Sequence, residues 1–152
     1  MKRTVTSWGV AAAFVAAAVV AAWTAGSAQG QMKQGANKEP LYVSSAKAKF
    51  TDMMPGVTQA VVWGDPDKGA YGAFTKFVPG YDAGMHTHTN DVSIVVIKGA
   101  YLYKDASGEK RVGAGDFLRV PGGWKHWSGG DKTEGALFYT EGRAKFDLVP
   151  TK

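Results

Sequence analysis

The chain has 152 residues, 45% of them hydrophobic and 20% charged, with 20 glycines, 12% aromatics and no cysteine. That length and balance suit one compact core and argue against a disordered chain or a polytopic membrane protein. The missing cysteines remove disulfides, thiolate metal ligands and thiol nucleophiles, and the formal net charge of +5 comes from scattered lysines without a basic run, which speaks against nucleic acid as a partner.

Met1, Lys2 and Arg3 give a positive start, Trp8 to Trp23 is apolar and alanine-rich, and Ala25-Gly26-Ser27-Ala28 offers small residues to a signal peptidase. The apolar run falls short of the roughly 20 residues that span a bilayer, so residues 1–28 read as a secretory signal rather than an anchor. The mature protein is then expected to be exported, periplasmic or secreted, with no stable membrane span. There is no twin arginine, which favours the general export route. Losing Lys2 and Arg3 brings the net charge down from +5 to about +3. Residues 29–40 are polar and aperiodic and read as a flexible linker; the folded domain is expected over 41–152.

From there short apolar runs alternate with turn signals. Strands are expected at Thr58 to Trp63, Ala70 to Val78, Met85 to His88, Val92 to Ile97, Ala100 to Lys104, Lys110 to Val112, Asp116 to Val120, Trp124 to Trp127, Ala136 to Thr140 and Ala144 to Val149. Gly64-Asp65-Pro66, Pro79-Gly80, Lys98-Gly99, Gly113-Ala114-Gly115, Pro121-Gly122-Gly123 and Gly129-Gly130 separate them as turns. No helical periodicity of ten or more residues follows the leader. The fold class is all-β, a closed barrel or jelly roll that protects its strand edges.

Only three histidines occur. His86 and His88 form an H-x-H pair, and in an extended strand residues two apart point to the same face, so both imidazoles can reach one point. His126 lies in a separate candidate strand. Alone, H-x-H is a weak signal.

Its context resembles the two motifs of the cupin superfamily. The first, G-x5-H-x-H-x3-E-x6-G, is matched by Gly80, His86, His88 and Gly99, with Val92 in the glutamate's place; the second, G-x5-P-x-G-x2-H-x3-N, is matched by Gly115, Pro121, Gly123 and His126, with Gly130 in the asparagine's place. The resemblance implies a jelly-roll β-barrel in which the two motifs lie on opposing strands and bring His126 to His86 and His88 as ligands of one divalent transition metal. Val92 shares the even-numbered face of His86, His88 and Asn90 and cannot ligate, so the site is expected to be three-histidine, with Asp91 and Asn90 as reserve ligands.

Three neutral imidazoles leave a dipositive charge uncompensated and a coordination position open, so a small-molecule ligand or substrate is expected, anions included. Imidazole suits iron, zinc, manganese, nickel and copper, and iron(II) would make the site similar to three-histidine cupin dioxygenases, the others to lyases or isomerases. Tyr139 and Glu141 are candidates for a catalytic proton donor and acceptor near the mouth, and Arg119 for a carboxylate's partner. A non-catalytic binding or sensing cupin is the alternative. The resemblance also admits a homodimer through the outer sheet. No G-x-S-x-G elbow, phosphate loop or dinucleotide fingerprint competes.

Overall fold

The computed structural model describes residues 39–151; the leader expected over 1–28 and nearly all of the linker expected over 29–40 lie outside the described residues. Among the described residues there is no helix, and hence none long and apolar enough to cross a membrane. Within these described residues ten strands form one curled antiparallel sheet: β1 (Thr51–Met54), β2 (Val57–Gly64), β3 (Tyr71–Phe77), β4 (Asp82–Thr87), β5 (Val92–Asp105), β6 (Gly108–Gly113), β7 (Phe117–Val120), β8 (His126–Gly130), β9 (Ala136–Gly142) and β10 (Val149–Pro150). Neighbours run β1-β2-β3-β9-β5-β8-β4-β10, with β6 and β7 also paired to β5. This is the all-β jelly-roll class expected from the turn spacing.

Several boundaries differ from the sequence reading. The runs Val92 to Ile97 and Ala100 to Lys104 are one 14-residue strand; Lys98-Gly99 is not a turn but pairs with Leu137 and Ala136, just past a bulge between Val96 and Lys98. Up to Gly99 β5 pairs with β7 and β9; from Ala100 on, with β6 and β8. One strand thus turns the corner between the two halves of the jelly roll. Gly99 makes the corner possible: its φ is +70°, and a Cβ there would stand 2.3 Å from the carbonyl oxygen of Gly135. The exposed strand β1 has no apolar alternation to announce it and is held by pairing with β2. Ala144 to Val149 is not a strand; only Val149 and Pro150 pair, because the preceding backbone bonds elsewhere, Phe146 N–H donating to Pro66 O at 2.7 Å. Gly129-Gly130 lies inside β8, which begins at His126 rather than Trp124.

The core sits inside the curl. β5 supplies Val92, Ile94 and Val96 before the bulge and Tyr101 and Tyr103 after it, joined by Val112, Val120, Ala136 and Phe138. Phe138 meets Phe77 edge-on at 4.9 Å and Tyr101 at 5.2 Å. Each such aliphatic or aromatic side chain contributes roughly 1.5–3 kcal/mol on burial.

Gly99→Ala is expected to destabilise the domain by about 2 kcal/mol or more, since it combines a left-handed backbone with a backbone clash. Gly69→Ala, where a Cβ meets open space, should leave the thermal midpoint unchanged. Thermal unfolding followed by circular dichroism compares the two.

Candidate metal centre

His86 and His126 are directly opposite each other in the β4–β8 ladder, with ring centroids 4.2 Å apart. His88 lies one residue past the end of β4 on the same face, 5.0 Å from His86 and 5.3 Å from His126. All three are buried, His126 completely, and one nitrogen from each falls within 4.8 Å of the other two. A register shift in β4 between Asp82 and Met85 sets the parity that turns His86 inward.

Each ring is held from behind by a backbone carbonyl. His86 Nδ1 bonds to Gly84 O at 2.9 Å, His126 Nδ1 to Trp124 O at 2.9 Å and His88 Nδ1 to Asp147 O at 2.5 Å. A carbonyl only accepts, so each Nδ1 carries the proton and each Nε2 keeps a free lone pair. His126 Nε2 is buried and has no hydrogen-bond partner among the described residues. Three aimed, unprotonated nitrogens with a carbonyl behind each are the arrangement by which proteins orient metal-binding imidazoles, so the residues present fit a divalent ion.

Burial pushes the His86 imidazole down to about 4, and desolvation likewise lowers His88 and His126 against the opposing pull of their carbonyl bonds. All three rings are therefore neutral at pH 7.

The turn before β8 ties the two motifs together. Gly123, with φ +75°, donates its N–H to His88 O at 2.7 Å. Asp91 accepts from Gly122 N–H at 2.8 Å and from the Arg119 guanidinium, so this carboxylate braces the turn and is not brought to the histidines. Arg119 is occupied with Asp91. Asn90 donates its side-chain amide to Lys145 O at 3.1 Å. Val92 points inward and lines the cavity, as its parity required, leaving the cluster without a carboxylate.

Tyr139 and Glu141 stand on the other face of β9 from Phe138 and Thr140, which line the cavity. Tyr139 accepts a 2.8 Å bond from Trp63 Nε1, donates to Glu141 at 3.3 Å and packs edge-on against Phe74. The structure gathers these two with the β2–β3 side chains and not with the histidines.

Two supports escaped the sequence reading. The Tyr103 ring stacks on His126 at 5.4 Å, its hydroxyl donates to Asp105 at 2.8 Å, and Trp124 Nε1 donates to the same carboxylate at 3.0 Å. His126 is thus clamped between a ring and a carbonyl whose owners share one anchor. Residues 143–148 form a strap in which Phe146 packs on His88 at 5.1 Å and the Asp147 carboxylate accepts from Thr89 N–H at 2.7 Å and Thr89 Oγ1 at 2.5 Å. The phenylalanine and aspartate inside an apparent strand were the only signals.

His86 and His88 open onto a cavity lined also by Met53, Met54, Gln59, Thr75, Phe77 and Phe146, with about 580 Å³ of empty space out to its mouth. The cavity volume clear of the walls is about 50 Å³. The room suits a molecule of a few heavy atoms.

Curled jelly roll, opposed strands and a buried histidine trio together define a cupin. Within that superfamily the chain belongs to the ChrR cupin-like domain family, whose model matches residues 38–145. Solved structures agree on the fold. The polyketide cyclase RemF from Streptomyces resistomycificus is 16% identical with a TM-score of 0.62, over 75% of this chain and 87% of that one. KdgF from Halomonas sp. is 20% identical with a TM-score of 0.54, over 73% and 95%. A structure of Rhodobacter sphaeroides SigE in complex with the anti-sigma ChrR gives 18% and 0.53, over 65% and 50%. No curated protein sequence matches the chain.

The lowered imidazole values fix a pH dependence. In the unfolded chain histidines titrate near ~6.5, whereas the folded His86 stays neutral to about 4, so between those values the unfolded state binds more protons and stability falls as pH falls. The metal-free protein is expected to lose several degrees of thermal midpoint between pH 7 and pH 5, and His86→Phe to flatten the profile. A wild-type midpoint that does not move would mean the rings are not held neutral.

Proposed function

We propose that this protein is an exported, metal-dependent cupin enzyme acting on a small organic molecule. The observation that carries the proposal is the orientation of the three rings: each Nδ1 is committed to a carbonyl, and His126 Nε2 is buried with no partner. Burying such a lone pair without a partner costs about 1–3 kcal/mol, a cost that an ion shared with His86 and His88 offsets. Iron, zinc, manganese, nickel and copper all accept an imidazole set, and iron, which would support dioxygenase-like chemistry, is our preferred choice. When bound, such an ion supplies Lewis-acid polarisation of a substrate oxygen and, for iron or copper, redox chemistry.

The chain's own residues hold and enclose. His86, His88 and His126 grip the ion, Phe146 covers His88 from the strap side, and the apolar wall limits water around the reacting group. Apart from the histidines and the Gln59 amide, the proton-bearing side chains along the cavity are hydroxyls; burial pushes Tyr101 up to about 12, which makes it a hydrogen-bond donor and not a base.

A second reading, a binding or sensing cupin without turnover, is favoured by one feature: among the described residues no aspartate, glutamate, lysine or arginine lines the cavity. In either case the ion comes first. Protein purified from its native compartment should carry close to one equivalent of a transition metal by elemental analysis, and His88→Ala substantially less. Equal contents would remove the centre.

Export rests on the leader's composition, a positive start, an alanine-rich apolar run and small residues at Ala25 to Ala28. N-terminal sequencing of the protein recovered outside the cytoplasm should begin near residue 29. Recovery of intact chain starting at Met1 in the cytoplasm would overturn the export proposal.

A further inference from the structure

Besides Tyr81 and the hydrogen-bonded pair Tyr101 and Ser128, the cavity wall carries a polar element that the three histidines do not use. Gln59 on β2, Thr75 on β3 and Thr140 on β9 all line the cavity and are all buried, at 7%, 5% and 4% exposure. Gln59 lies directly opposite Thr75 in the β2–β3 ladder and donates to Thr75 Oγ1 at 3.3 Å; Thr75 Oγ1 lies 3.4 Å from Thr140 Oγ1. A primary amide has two donor hydrogens and two acceptor lone pairs, yet Thr75 is the one side-chain hydrogen-bond partner the Gln59 amide has among the described residues. Burial of an amide is costly unless its capacity is taken up, and the packing need at an inward position beside Val57 would be met by leucine or methionine. The spare capacity faces a space that also holds two of the three histidines.

The remainder of that wall sets limits on what can enter. Met53, Met54, Phe77, Phe146 and Leu148 are apolar, Tyr81, Tyr101 and Ser128 add only hydroxyls, and among the described residues no cationic side chain other than the histidines lines the cavity. A bound divalent ion can balance one anionic head; a second negative charge would be desolvated without a counter-charge. The free room bounds the ligand to a few heavy atoms.

We propose that the cavity selects a compact, at most singly charged organic molecule, with an oxygen head toward the histidines, an apolar body, and one uncharged hydrogen-bonding group read by Gln59. Gln59 is then a specificity residue, held in place by Thr75 and, through it, by Thr140. The proposal rests on the histidines being a metal centre, and the test separates the two.

The protein is loaded with cobalt(II), whose visible absorption reports ligand entry, and titrated with butyrate, 3- and 4-hydroxybutyrate and succinate, four-carbon acids that differ in one group. The wild type is expected to bind butyrate at least tenfold more tightly than succinate, and one or both hydroxybutyrates about threefold to tenfold more tightly than butyrate, the effect of one added hydrogen bond. Gln59→Leu should bind cobalt and butyrate as the wild type does and lose the hydroxyl preference; Gln59→Met replaces it should the leucine variant fold poorly. Succinate binding as tightly as butyrate, a hydroxyl preference that survives the substitution, or no response to any acid by a cobalt-loaded protein each overturns the proposal. Failure to take up cobalt overturns the metal reading instead. A glutamine with a purely structural role would lower the thermal midpoint when replaced and leave the hydroxyl preference intact.

Discussion

Everything at the centre of this fold depends on three hydrogen bonds from imidazole Nδ1 to backbone carbonyls. They decide which nitrogen carries the proton, and with it which nitrogen is free to bind. Without them, three buried rings within van der Waals range of one another would be an ordinary, if costly, patch of polar packing. With them, the fold commits three lone pairs to one small region and takes them out of competition with water. The sheet exists in a form that makes this possible: a bulge in β4 turns His86 inward, the β4–β8 register sets His126 opposite it, and the glycine turn before β8 bonds back to His88.

The electrostatics follow from what is absent from the cluster. Val92 stands where the first motif of the superfamily carries glutamate, and the nearby carboxylate of Asp91 is spent on Gly122 and Arg119. Three neutral ligands leave an ion's full charge to be met by what arrives from solution. The uncharged walls would do nothing to dilute that demand, so in a metal-loaded protein charge recognition would fall to the ion and, on the proposal above, hydrogen-bond recognition to the far wall.

Much of this was legible in the sequence, and its limits were physical. The period-2 rule placed His86, His88 and Val92 on one face, and that is where they lie. The punctuation by glycine gave the all-β class. It failed at Lys98-Gly99, because a positive-φ glycine can sit inside a bent strand beside a bulge as readily as in a turn, and only the pairing partners distinguish the two. In β9, Ala-Leu-Phe-Tyr-Thr-Glu carries apolar residues in both parities, so nothing local revealed that Phe138 and Thr140 face in while Tyr139 and Glu141 face out. Gln59 carried no readable signature, since its parity mate Val61 is exposed and a register shift follows, and its meaning came only with its neighbours. The strap over His88 read as a strand, since a segment that bonds to scattered loops leaves no periodic trace of its own.

The three ring supports also differ in reach along the chain. His86 and His126 each lean on the carbonyl two residues earlier, so their aim is settled as soon as their own turns form. His88 leans on Asp147, fifty-nine positions downstream. A cation meeting the polypeptide before that late segment has docked would encounter two fixed donors and one swivelling ring. Tight capture is thereby made conditional on the last stretch of the barrel wrapping into place, which turns occupancy of the centre into a readout of completed folding.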